Sequence, residues 1–143
     1  MTYSTVFPIW NAIRERFHKT ANTLLAQDLG LQLGNTKIGN LLHHTAEVEY
    51  MFAEWFFGKK MPEEGIAMPA FTDVNKFVEQ LKASNEHIIQ AMKELPEEDW
   101  HKIMESPIGT STPLEAVGRL MYHTGIHAGQ ISLIKKNGYS HEE

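Results

Sequence analysis

His123 and His127 stand four residues apart in Met121-Tyr122-His123-Thr124-Gly125-Ile126-His127-Ala128-Gly129-Gln130-Ile131. On a helix, side chains at i and i+4 share one face one turn apart, so two imidazoles there can hold one metal ion. Chemistry at such an ion usually needs three protein ligands and an open position. Such a site therefore requires a third ligand, most simply another histidine. The chain has eight histidines, enough for some pairs to arise by chance.

Four helical stretches position these residues. The first spans about Tyr3 to Gln27, with Phe7, Trp10, Ile13 or Arg14, Phe17, Ala21, Leu24 and Leu25 at helical spacing. Pro8 fits only near its start. The second runs from about Thr36 to Phe57 and stops at Gly58. Lys59 to Phe71, with two prolines and a glycine, reads as a loop long enough to cross the bundle rather than join adjacent antiparallel neighbours. The third starts behind Thr72 as N-cap and reaches about Leu95. Pro96 to Trp100 is a short turn, and an irregular stretch leads to Ser111. The fourth opens on Thr112-Pro113-Leu114-Glu115, an N-cap threonine, a proline at the first helical position and a capping-box glutamate, and ends near Asn137-Gly138. Strand-like alternation is absent. The expected fold is all-α, an antiparallel four-helix bundle with essentially no sheet, forming a single domain over 1–143.

Helical phase, at about 100° per residue, sorts the histidines. The apolar stripe of the second helix is Ile38, Leu41, Leu42, Val48, Phe52, Trp55 and Phe56. His44 falls at its edge and His43 points away, toward water. On the fourth helix the stripe is Leu114, Val117, Leu120, Thr124, Ala128 and Ile131, with His127 beside its centre and His123 at its rim. His44, His123 and His127 can thus face one seam. His18, His87, His101 and His141 lack such an arrangement and read as surface or packed residues. Glu47, three residues after His44, could orient a ligand or act as a base, though its phase suits a solvated glutamate. Gln130 could hydrogen-bond His127. Gly125 and Gly129 suggest close helix approach or room for a ligand. Met51, Phe52, Trp55, Phe56 and Phe57 form core or a pocket wall. The Pro-Glu-Glu runs at 62–64 and 96–98 read as acidic solvated turns.

Composition narrows the function. Hydrophobic residues make up 42% and charged residues 22%, ordinary for a globular protein. A formal charge of −5 without a basic cluster argues against nucleic acid. There is no cysteine, which excludes disulfides, thiolate ligands and a cysteine nucleophile and fits a cytoplasmic location. No secretory signal and no apolar run of membrane-spanning length is visible. Phosphate-binding glycine loops and serine-nucleophile elbows are also missing.

At these residues the chain resembles the DinB/YfiT-like family of metal-binding four-helix bundles. One anchor is Asn40-Leu41-Leu42-His43-His44-Thr45-Ala46-Glu47-Val48-Glu49, where the family shows a histidine followed by an apolar residue and a glutamate. The other is His123-x-x-x-His127-Ala128-Gly129-Gln130-Ile131, followed by Lys135, Lys136 and Gly138. The motif alone leaves His43 or His44 open; phase and the downstream glutamate favour His44. The resemblance implies a three-histidine site for a divalent cation at one end of the bundle: nickel or zinc, with iron or manganese also open. It further implies a transferase or isomerase using a small thiol such as bacillithiol, mycothiol or glutathione, acting on an electrophilic small molecule. A non-catalytic metal- or ligand-binding protein with a stress role and a metal-dependent hydrolase are the alternatives. A homodimer is expected from Ala46, Tyr50 and Phe57, apolar residues away from the main stripe of the second helix.

Overall fold

The computed structural model describes residues 1–140. Four long helices dominate: α1 (Thr2–Asn22), α2 (Ile38–Phe57), α3 (Val74–Glu94) and α4 (Pro113–Asn137). Two short hairpins join them, β1 (Gln32–Leu33) with β2 (Thr36–Lys37), and β3 (Met104–Ser106) with β4 (Gly109–Ser111), both antiparallel. With strands of only two or three residues, the fold remains the expected all-α bundle, and the hairpins are a detail the sequence did not mark as strand. Runs of two or three residues are too short to show alternation, and their signal is the turn glycine: Gly34 at φ 59° and Gly109 at φ 103°.

The helices pack α1 on α3 and α4, and α2 on α3 and α4. Two apolar clusters reveal their directions. One gathers Val6 and Trp10 of α1 with Phe52 and Phe56 of α2, Ile88 and Met92 of α3, and Val117 of α4. The other gathers Phe17, Ala21, Ile38, Leu42, Phe77, Leu81, Ile131 and Ile134. The start of α1 therefore meets the end of α2, the end of α3 and the start of α4. Each helix has one antiparallel and one parallel neighbour. The parallel pair α2 and α3 requires the long 58–73 connection to run back along the bundle, so it joins adjacent helices. Its far end is locked where Phe71 lies against Gly39; a Cβ on Gly39 would come within 2.6 Å of the ring.

Helix ends follow local chemistry. Gly58 takes the left-handed conformation, φ 73°, that closes α2. Thr112 and Glu115 form the expected capping box on α4. Asp73 caps α3 by accepting from the Asn75 amide at 3.0 Å, one residue beyond the expected Thr72. α1 starts at Thr2 with Pro8 inside it and ends at Asn22, earlier than expected, before a 3-10 turn at Ala26–Asp28. The carbonyl that Pro8 leaves without an amide belongs to exposed Ser4, where water can serve it. Leu25 is exposed as a result. Glu97 is tied in rather than merely solvated, accepting from the Thr2 amide at 3.0 Å.

α2 is buried on more than one face. Ala46, Tyr50 and Phe57 are all buried within the chain, so the aromatic patch expected to drive dimerisation is not exposed. The apolar stripe accounts for one buried side, and α3 together with α4 covers more of the helix than that stripe. At mid-bundle Arg14 donates to Glu49 Oε2 at 2.7 Å and to the Leu81 carbonyl at 2.6 Å, and the Ser84 hydroxyl donates to Glu49 Oε1. This network pins α1, α2 and α3 together. Burial pushes the Glu49 carboxyl up, and Arg14 and Ser84 pull it back.

Candidate metal centre

His44 on α2 and His123 and His127 on α4 bring one ring nitrogen each within 4.8 Å of one another. The ring centroids of His123 and His127 are 4.2 Å apart, and His44 lies 5.1 and 5.4 Å from them. Antiparallel packing of α2 on α4 sets this meeting. The two α4 histidines bracket the middle of their helix, so the cluster lies on the bundle's flank. That corrects the expectation of a site at one end.

Local bonds aim the rings. His127 Nδ1 donates to Gln130 Oε1 at 2.6 Å, which leaves the Nε2 lone pair free. That Nε2 faces His123 Nε2 at 3.0 Å. His44 Nδ1 lies 3.6 Å from Glu47 Oε1, so its other nitrogen is the one available to the cluster. Half-burial lowers the His123 pKa to about 4, with the charges of His127 and His44 adding to the effect. Burial also lowers His127, against the opposing pull of Gln130. Both imidazoles are consequently neutral at pH 7, the form that donates to a cation. His123 Nδ1 is buried without a hydrogen-bond partner. The donor set and the converging ring nitrogens fit a divalent cation.

His43 is buried, contrary to its expected exposure. It sits about 100° around the helix from His44, against α3. There its Nδ1 pairs with Gln80 Oε1 at 2.8 Å, and Gln80 Nε2 donates to the Ala67 carbonyl at 2.9 Å. His43 thus ties the long connection to α2 and α3 and points away from the cluster. Glu47 is partly exposed and lies between both rings, 3.5 Å from His43 Nε2. His87 packs on Tyr50, its centroid 4.8 Å away.

Beside His44 and His123 opens a cavity of about 760 Å3. Val48, Met51, Phe52 and Trp55 of α2 form one wall, and Tyr122 and Ile126 of α4 form the other. Ile108, in the turn between β3 and β4, closes one side. Arg119 and Glu115 supply charge. The Met51, Phe52 and Trp55 wall was expected as core or pocket, and Trp55 does both by packing edge-on to Phe56. Arg119 and Ile108 escaped the sequence reading. Arg119 carried a signal, since it stands one turn before His123 on the same helical face. Gly118 lines the cavity, while Gly125 and Gly129 face open space: a Cβ on either meets nothing within 4 Å. Close helix approach is therefore not their role.

A family model described as the DinB superfamily matches residues 9–131. Among solved structures, the fold is similar to a DinB-like protein from Bacillus cereus ATCC 10987, with a TM-score of 0.77 at 18% identity over 91% of this chain and 88% of that one. It is also similar to a mutant of the mycothiol-dependent maleylpyruvate isomerase, with a TM-score of 0.72 at 12% identity. That likeness covers 98% of this chain but only 62% of the isomerase. No curated protein matches the chain. No described helix is long and apolar enough to cross a membrane.

Proposed function

The chain belongs to the DinB superfamily, and from that premise we propose that it is a divalent-metal-dependent S-transferase joining a small thiol to an electrophile. The observation that carries this reading is the convergence of His44, His123 and His127 at the wall of a large apolar cavity. The three imidazoles would hold the cation, nickel or zinc by their donor chemistry. When bound, such a cation favours the deprotonated form of a thiol near pH 7.

The chain's own residues do the rest. Gln130 fixes the His127 tautomer, and Glu47 stands beside the outer nitrogen of His44. Trp55, Phe52 and Tyr122 offer apolar surface that excludes water from an electrophile's carbon skeleton. In the transfer, the thiol S–H bond breaks and its proton goes to solvent, sulfur forms a bond to an electrophilic carbon, and that carbon's bond to a leaving group breaks, the bonding pair departing with the group. The chain contains no cysteine, so the sulfur comes from the cosubstrate and no internal thiol competes for the site. Among the described residues the cluster contains three imidazoles and no fourth protein ligand, which favours an open position over a closed structural site.

The test is a titration of cobalt-substituted protein with bacillithiol, mycothiol, glutathione and cysteine. A thiol that binds through sulfur shifts the cobalt absorption bands and raises the melting temperature by mass action. If none of the four moves either signal, the transferase reading falls and a non-catalytic metal-binding role replaces it.

A further inference from the structure

Arg119 is held in an unusual setting. It lines the cavity that His44 and His123 border, yet among the described residues it makes no ion pair. Its partners are neutral: Nη1 donates to the Ser111 hydroxyl at 2.5 Å, and Nη2 reaches the Ile108 carbonyl at 3.4 Å. A guanidinium carries five N–H donors in a planar fork, so most of its donor capacity stays open. Glu115, one turn earlier, also lines the cavity. Its carboxylate is engaged by the Thr112 amide at 2.8 Å in the capping box, which holds it at the helix end. Glu115 also feels the Arg119 charge across that turn without forming an ion pair, so the β3–β4 hairpin fixes a fork whose remaining N–H donors stay open. Such a fork matches a carboxylate, and fixing it in advance reduces the ordering cost of binding.

We propose that Arg119 anchors the carboxylate of an apolar acid whose body fills the cavity between Trp55 and Tyr122. One helical turn separates Arg119 from His123, a rise of about 6 Å. The ligand class is therefore an aryl or alkyl carboxylic acid whose far end reaches the histidine cluster about one helical turn from its carboxylate. This rests on the transferase reading only in identifying that acid as the electrophilic substrate; the anchor itself requires no thiol.

The experiment compares phenylbutyrate with its neutral amide by calorimetry, on the full chain in zinc-loaded and metal-free forms. A charge-assisted pair predicts that the acid binds about 10-fold or more tightly than the amide in both forms. Arg119→Gln should abolish that preference while leaving amide affinity unchanged, and Arg119→Lys should retain part of it. Equal binding of acid and amide, or no binding of either, overturns the proposal. So does an acid preference that survives Arg119→Gln, which would place the carboxylate on the metal. If Arg119→Gln weakens acid and amide alike, the residue is only a brace for the hairpin and the anchor is lost. A thiol titration that fails while the acid preference persists would remove the transferase and leave the anchor standing.

Discussion

His127 Nε2 lies 3.0 Å from His123 Nε2 while the opposite nitrogen of His127 is tied to Gln130 at 2.6 Å. One amide thus decides which lone pair enters the cluster. Gln130→Leu should weaken metal binding by about 10- to 100-fold without unfolding α4, as losses of an orienting partner do. Competition with a chelator of known affinity measures it. Unchanged affinity would mean that Gln130 only decorates the surface.

The adjacent histidines of α2 should separate cleanly. His44→Ala, His123→Ala and His127→Ala should each lose stoichiometric metal, while His43→Ala keeps it. His43→Ala should instead free Gln80 and loosen the 58–73 connection, which amide hydrogen exchange would show as faster exchange around Ala67. Metal analysis after dialysis decides the first point. Equal loss from His43→Ala would reassign the ligand.

Acid should weaken the metal-free protein through His123. Its pKa is lowered from 6.5 to about 4, so below 6.5 the unfolded chain takes up a proton that the folded chain refuses. Stability from this group is fully present above pH 6.5 and is lost as pH falls toward about 4. A single proton is exchanged and the ring is only partly buried, so the slope stays below about 1.4 kcal/mol per pH unit. Denaturant titrations across that window should show a flatter profile for His123→Gln than for the parent chain. Parallel profiles would assign the acid sensitivity elsewhere.

The Arg14–Glu49 pair should be costly to break and cheap to replace. Glu49→Leu leaves Arg14 charged and buried, at a cost of about 3–5 kcal/mol. Replacing both partners by apolar residues of similar volume should recover most of the loss. Thermal melts of the single and double variants test this, and a double variant no better than the single would show that Leu81 and Ser84 depend on the charges themselves.

Much of this architecture was readable from residue order. Gly58, the Thr112–Glu115 box and the 3.6-residue spacing of apolar side chains are local signals, and the helix ends they mark lie close to those observed. Helical phase also puts His44 on the same seam as His123 and His127, whose ring nitrogens come together with its own. It misjudged His43 because a single apolar stripe assumes one buried face, whereas α3 covers a second side of α2 with polar Gln80. Tyr50 and Phe57 were misplaced for the same reason. Arg14 fell on the stripe of α1, but its partner Glu49 lies 35 residues away and no spacing rule connects them. The hairpin turn that borders the cavity belongs to tertiary assembly, which sequence periodicity does not encode, whereas Arg119, one turn before His123, lay within its reach.

Among the described residues, Ile108 is the one apolar contribution to the cavity from outside the helices. It stands in a tight turn fastened at its neck by the Ser106 hydroxyl on the Gly109 carbonyl at 2.7 Å. Trp55 and Phe52, by contrast, are interlocked with Phe56, so altering them disturbs the bundle. The cavity wall can therefore be altered at Ile108 with less disturbance to the bundle than at Trp55 or Phe52. Divergence among duplicated copies of such a chain would be expected to concentrate in this turn, and a directed-evolution library confined to it would reshape the cavity on a scaffold that stays folded.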